Sequence, residues 1–160
     1  MAETIAVGET LACPSAQPGM ADLQVLGLVE HGPEGPRIAY LNARLPADED
    51  LLARAAPAPP TAVFRLSGTC ETRKCQHFDG KDCQLAVRIV ARLPEVVSSL
   101  PPCNIRRSCR WFAQEGGAAC KRCPQISTTD DGSHAELAAI ALPPTGKSHG
   151  DAPTASDPKL

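Results

Sequence analysis

Seven of the chain's eight cysteines fall at Cys70, Cys75, Cys83, Cys103, Cys109, Cys120 and Cys123, and His77 lies two residues past Cys75. The spacing reads C-x4-C-x-H-x5-C, then nineteen residues, then C-x5-C-x10-C-x2-C. Thiolate and imidazole are soft or borderline metal ligands, and eight of them suit two four-coordinate sites or one cluster with spare thiols. The expected division puts Cys70, Cys75, Cys83 and His77 in one set and Cys103, Cys109, Cys120 and Cys123 in the other. Ligands exchanged between the two sets stay open at this level. Cys13 lies 57 residues before Cys70 in small, polar sequence and is expected to be unbound.

Cys120-Lys-Arg-Cys123-Pro124 is the sharpest local element. Two thiolates at i and i+3 on a tight turn chelate one centre, and a proline directly after a ligand cysteine also occurs in bacterial ferredoxin runs. The competing reading is a redox dithiol whose thiol pKa is lowered by Lys121 and Arg122. That site needs a helix starting at its first cysteine, and Pro124 with no periodic run after it argues against one. Upstream, residues 104–115 read as a short helix closed by Gly116, with Ile105, Cys109 and Phe112 on one face. Arg106, Arg107, Arg110 and Trp111 surround Cys109. Guanidiniums there would compensate a net-negative thiolate centre and donate hydrogen bonds to sulfur. The same residues would also serve phosphate contact and base stacking, so nucleic acid remains a weaker alternative.

The run from Arg106-Arg-Ser-Cys109 through Gly116-Gly117 to Cys120-x2-Cys123-Pro124 is similar to the C-terminal iron–sulfur motif of ferric siderophore reductases. That motif is an adjacent cysteine pair, ten residues, then C-x2-C, with arginine and serine before the pair and glycines in the gap. Cys109, Cys120 and Cys123 match its spacing, and Ser108 stands where the family has the first cysteine of the pair. The resemblance covers about 20 of the 160 residues and implies an iron–sulfur cluster whose fourth ligand comes from elsewhere, with Cys103 nearest.

C-x4-C and C-x5-C are loose for a zinc finger, and a zinc ribbon shows two CxxC pairs where this chain has one. Widely spaced cysteines suit a four-iron cube, whose corners lie further apart than the ligands of a single ion. The spacing therefore favours one or two iron–sulfur clusters, with zinc as the alternative. No Walker loop, dinucleotide glycine fingerprint, radical C-x3-C-x2-C or HExxH is present. Asp48-Glu49-Asp50 reads as a helix start rather than a catalytic set. These features point to electron transfer or redox sensing with a protein redox or assembly partner, more than to a stand-alone enzyme. The alternative is a zinc-stabilised module that binds protein or nucleic acid.

Around these ligands the chain has little apolar bulk. Aromatics are 3% of 160 residues, and 16 prolines and 12 glycines interrupt the rest. From Val63 to Ile126 eleven Lys/Arg meet five Asp/Glu, a net +6, while the remainder carries −8. Residues 1–20 are expected to be disordered. Residues 21–62 read as a β-hairpin over 23–41, turning at Gly32-Pro33-Glu34-Gly35-Pro36, followed by a short helix. Residues 63–126 form the cysteine-rich module, entered by a strand over Thr61–Leu66. After Cys83, apolar Leu85, Ala86, Ile89, Val90 and Leu93 predict a helix that ends before Pro94. Residues 127–160 are expected to hold one short helix, Ser133 to Leu142, and a solvated tail. The fold class is thus α+β: a small, loop-rich, metal-stapled module with disordered termini. Met1 to Cys13 holds two glutamates and no lysine or arginine, and no run reaches the ~18 apolar residues of a membrane span. The expected compartment is the cytoplasm, where cysteine-dense chains bind metal more often than they form disulfides.

Overall fold

The computed structural model describes residues 10–128 and 139–140. Its architecture is α+β: a curled four-stranded antiparallel sheet and short helices. In chain order the strands are β1 (Ala12–Cys13), β2 (Gln24–Gly32), β3 (Gly35–Tyr40) and β4 (Phe64–Thr69), and they lie in the order β1-β4-β2-β3. The helices are α1 (Glu49–Ala53), α2 (Pro60–Val63), α3 (Gln84–Arg92), α4 (Arg110–Glu115) and α5 (Gly117–Cys120). No helix among the described residues is long and apolar enough to cross a membrane.

The hairpin expected over 23–41 forms β2 and β3, paired from Gly27↔Tyr40 to Gly32↔Gly35. Gly27 is required where the two strands come closest, since a Cβ there would sit 2.6 Å from the Ala39 carbonyl oxygen. A register shift between Val25 and Gly27 in the pairing with β4 accompanies burial of both Val25 and Leu26, each in a different apolar cluster. The helix expected at Asp48 is α1, and the Asp48 carboxylate accepts from the Leu51 amide at 2.9 Å. Thr61–Leu66, read as strand, is split instead. Pro60, with its fixed φ, starts the one-turn helix α2, and the strand begins only at Phe64.

Residues 10–20, expected to be disordered with the rest of 1–20, form β1 and a turn that buries Pro14 and Ala16. β1 pairs with the end of β4, Cys13 opposite Gly68. The strand escapes a sequence reading because it is two residues long and is defined by its partner. α3 matches its expected face: Ala86, Ile89 and Leu93 are buried, and Leu85 and Val90 pack beside them. The helix expected over 104–115 breaks at Cys109, with a 3-10 turn (106–108) before it and α4 after it. Gly116, at φ +70, turns the chain from α4 into α5. Of the helix expected over Ser133 to Leu142, only residues 139 and 140 are described, both helical, and the tail lies outside the described residues.

The sheet separates two apolar clusters. Ala16, Val25, Ala55, Phe64 and Leu66 make one, free of cysteine. The larger lies on the other side and includes Leu26, Ile89 and Trp111 together with Cys83, Cys109 and Cys123. Because side chains alternate along a strand, Arg65 projects away from Phe64 and Leu66, toward the cysteines.

Candidate metal centre

All eight cysteines are free thiols. They divide four and four between two cavities that share the Trp111 ring as a wall. The first cavity, of about 400 Å³, is lined by Cys13, Cys70, Cys75 and Cys83. The second, of about 20 Å³, is lined by Cys103, Cys109, Cys120 and Cys123. The second set is the one expected from the sequence. The first differs by including Cys13 beside Cys70, Cys75 and Cys83, with His77 also on the wall.

Local structure aims each sulfur. Cys13 ends β1, and Cys70 follows β4 with its amide donating to the Leu11 carbonyl at 2.9 Å. Cys75 closes a 3-10 turn, and the His77 amide lies 3.4 Å from its sulfur. Cys83 stands at the N-cap of α3, where Gln114 from α4 brackets its peptide: the Cys83 amide donates to Oε1 (2.7 Å), and Nε2 donates to its carbonyl (2.9 Å). Asp79 builds the preceding loop, accepting from the Lys81 and Asp82 amides at 2.9 and 2.8 Å. Cys109 stands at the N-cap of α4. Cys120 ends α5 and Cys123 opens the next 3-10 turn. That stretch is clasped to the end of α3, Arg122 donating to the Leu93 carbonyl (2.7 Å) and Gln125 to the Pro94 carbonyl (2.7 Å).

Backbone N–H groups two or three residues ahead lie near several sulfurs, Ser15 at Cys13, Leu85 and Ala86 at Cys83, Ile105 at Cys103, and Trp111 and Phe112 at Cys109, without closing a cap bond at Cys83 or Cys109. Such amides favour thiolate over thiol. Burial acts the other way and dominates, pushing the Cys13 thiol up to about 12 and those of Cys75, Cys83, Cys103, Cys109 and Cys120 upward as well. These thiols therefore keep their protons near neutral pH unless a cation takes their place.

The most informative neighbour is Arg65, which is fully buried. Its guanidinium donates to the carbonyls of Pro14 (2.5 Å), Cys123 (3.0 Å) and Ile126 (2.9 Å), and its Nη2 reaches Cys123 Sγ at 2.9 Å. It also lies 5.5 Å over the Trp111 ring. Burial opposes its charge, but Cys123 and Tyr40 outweigh that and raise its pKa. Tyr40 adds a side-chain hydrogen bond to Cys123.

Of the arginines singled out by sequence, Arg106 hydrogen-bonds Cys120 and stacks on Phe112, and Arg110 lines the first cavity and stacks on Phe78. The Nε atoms of both are buried without a hydrogen-bond partner. Arg107 is exposed. His77 Nδ1 faces Arg88 Nη2 at 2.9 Å, and burial, with Arg88 beside it, lowers its pKa to about 4.

Sequence reasoning did not place Cys13, Arg65 or Tyr40 beside the other cysteines, where the structure puts them. Eight cysteines already divide into two fours, which was a signal for Cys13. Nothing in an arginine within Val63-Phe-Arg-Leu66, or in the tyrosine of a hairpin, marks either as a neighbour of sulfur. Among the described residues, no three His, Cys, Asp or Glu side chains form a group that could hold a metal ion. No protein-family model, curated protein or solved structure matches the chain.

Proposed function

We propose that the chain is an iron–sulfur protein that carries two cysteine-ligated centres and acts in electron transfer or redox sensing. Arg65 carries this reading. A fully buried guanidinium is costly unless an anion answers it, and the ionisable atom that Arg65 hydrogen-bonds among the described residues is Cys123 Sγ, with Tyr40 and Cys13 close behind. A neutral thiol leaves that cation unanswered, whereas a cysteine bound in an all-thiolate centre supplies the charge. The orphaned Nε donors of Arg106 and Arg110 fit the same need, one beside each cavity.

Support for a cluster comes from the room beside the thiols: the first cavity, about 400 Å³ and lined by four cysteines, is large enough for a cube. The second has room for a water-sized body only, so its four side chains would have to part around a cube. The similarity of Cys109, Cys120 and Cys123 to the siderophore-reductase motif points the same way.

A bound cluster supplies a reversible one-electron couple. The protein's own part is to hold the thiolates, turn amides and guanidiniums toward sulfur, and cover the centres with Trp111, Phe78 and Tyr40. Metal would then staple a chain with few large side chains. A cytoplasmic setting keeps such thiols reduced, and a protein redox or assembly partner completes the reading.

Anaerobic purification tests it. The expected product is brown, has sulfur-to-iron charge-transfer absorbance, and contains about eight irons and eight sulfides per chain, as two four-iron clusters require. A colourless protein, whether holding zinc or no metal, overturns the reading.

A further inference from the structure

Three thiols of the first cavity, Cys70, Cys75 and Cys83, need one more ligand to make a four-coordinate set, and the structure offers two candidates. His77 is the nearer in sequence. Its Nδ1 lies 2.9 Å from Arg88 Nη2, and a guanidinium can only donate. Nδ1 is therefore the acceptor, the ring proton sits on Nε2, and no lone pair is left for a metal. Arg88 is held in this pose, since its Nε donates to the Ile140 carbonyl at 2.8 Å.

Cys13 has the opposite situation. β1 pairs with β4 so that Cys13 faces Gly68 and Ala12 faces Thr69, which places Cys13 next to the start of the Cys70 loop. The Cys70 amide donates back to Leu11, and Ala12 bridges to Cys109, so the strand is tied on both sides. Cys13 lines the same cavity as Cys70, Cys75 and Cys83.

We propose that Cys13 is the fourth ligand of an iron–sulfur centre held by Cys70, Cys75 and Cys83, and that His77, occupied by Arg88, is not a ligand. This rests on the iron–sulfur reading above. Each thiol gives up its proton to solvent as its sulfur bonds iron, so the ligand set is four cysteinates, with no imidazole.

The test compares wild type, Cys13→Ala, Cys13→Ser and His77→Gln, each purified anaerobically and reconstituted with ferrous iron and sulfide. Iron, acid-labile sulfide and the EPR spectrum of the dithionite-reduced protein are measured. The expected result is that Cys13→Ala loses half of the iron and sulfide and keeps the signal of the Cys103 set, while His77→Gln matches wild type. Should Cys13→Ala not fold, Cys13→Ser is the closer isostere and is expected to lose or shift one of the two signals. Full iron content in Cys13→Ala, unchanged signals in Cys13→Ser, or loss of a cluster in His77→Gln each overturns the assignment. A wild-type chain that takes up no iron refutes the iron–sulfur reading itself, which separates the two failures.

Discussion

At the scale of single residues, Arg65 ties together segments far apart in the sequence. Its one guanidinium joins the N-terminal segment at Pro14 to the last cysteine turn at Cys123 and Ile126. Replacing it by methionine keeps the stem but strands three buried carbonyls and removes the charge that faces sulfur. Arg65→Met is expected to lower stability by about 3–5 kcal/mol, as breaking a buried charge pair does. Arg65→Lys keeps the charge without the planar fork and is expected to fall between it and wild type. Urea unfolding under argon measures both, and a methionine variant as stable as wild type would remove Arg65 from its central place. That Cys103, Cys109, Cys120 and Cys123 line one cavity was legible from spacing, because thiols at i and i+3 stay close locally. Arg65 was not, since its burial follows from β4 lying inside the sheet, between β1 and β2, which depends on pairings with residues far away in sequence.

Elements were legible where one periodic face decides them. α3 appears with the face its apolar spacing requires, and the hairpin turns where glycine and proline are dense. They were less legible at Cys109: it stands at the N-cap of α4 in extended conformation, which divides the continuous helix expected over 104–115, whereas the helix after Cys83, also an extended N-cap, begins where its periodicity puts it. The two helices that begin at these cysteines are fastened by Gln114 of α4, which satisfies both the amide and the carbonyl of Cys83. Gln114→Ala leaves the Cys83 amide unpaired and its carbonyl with the Val87 amide (3.3 Å) as partner, in a partly buried setting, at an expected cost of about 1–3 kcal/mol. Gln114→Glu keeps the acceptor for the amide and loses the donor for the carbonyl, so it is expected to recover part of that loss. Thermal unfolding of the three proteins under identical anaerobic conditions gives the order, and equal midpoints would show that the clasp does not hold α3 to α4.

Across the whole molecule, the sheet divides a cluster free of cysteine from one that contains it. Val25, Phe64 and Leu66 pack with Ala16 and Ala55 on one face. On the other face the core itself contains Cys83, Cys109 and Cys123, and the arginines at positions 65, 106 and 110 gather around the sulfurs. If net-negative centres sit there, they offset part of the +6 carried by residues 63–126. Stripping them returns protons to the thiols and leaves buried guanidiniums facing neutral groups, which low-dielectric surroundings make expensive. Removal of iron by chelator and mild oxidant, followed by thiol reduction, is therefore expected to act unevenly. Amide hydrogen exchange should speed up in residues 70–84 and 103–126 by tenfold or more, a change of about 1.4 kcal/mol in local opening, while the β2–β3 pairing retains most of its protection. Uniform loss of protection would mean that the two faces unfold as one unit, and no change at all would mean that the thiol side holds its shape without metal.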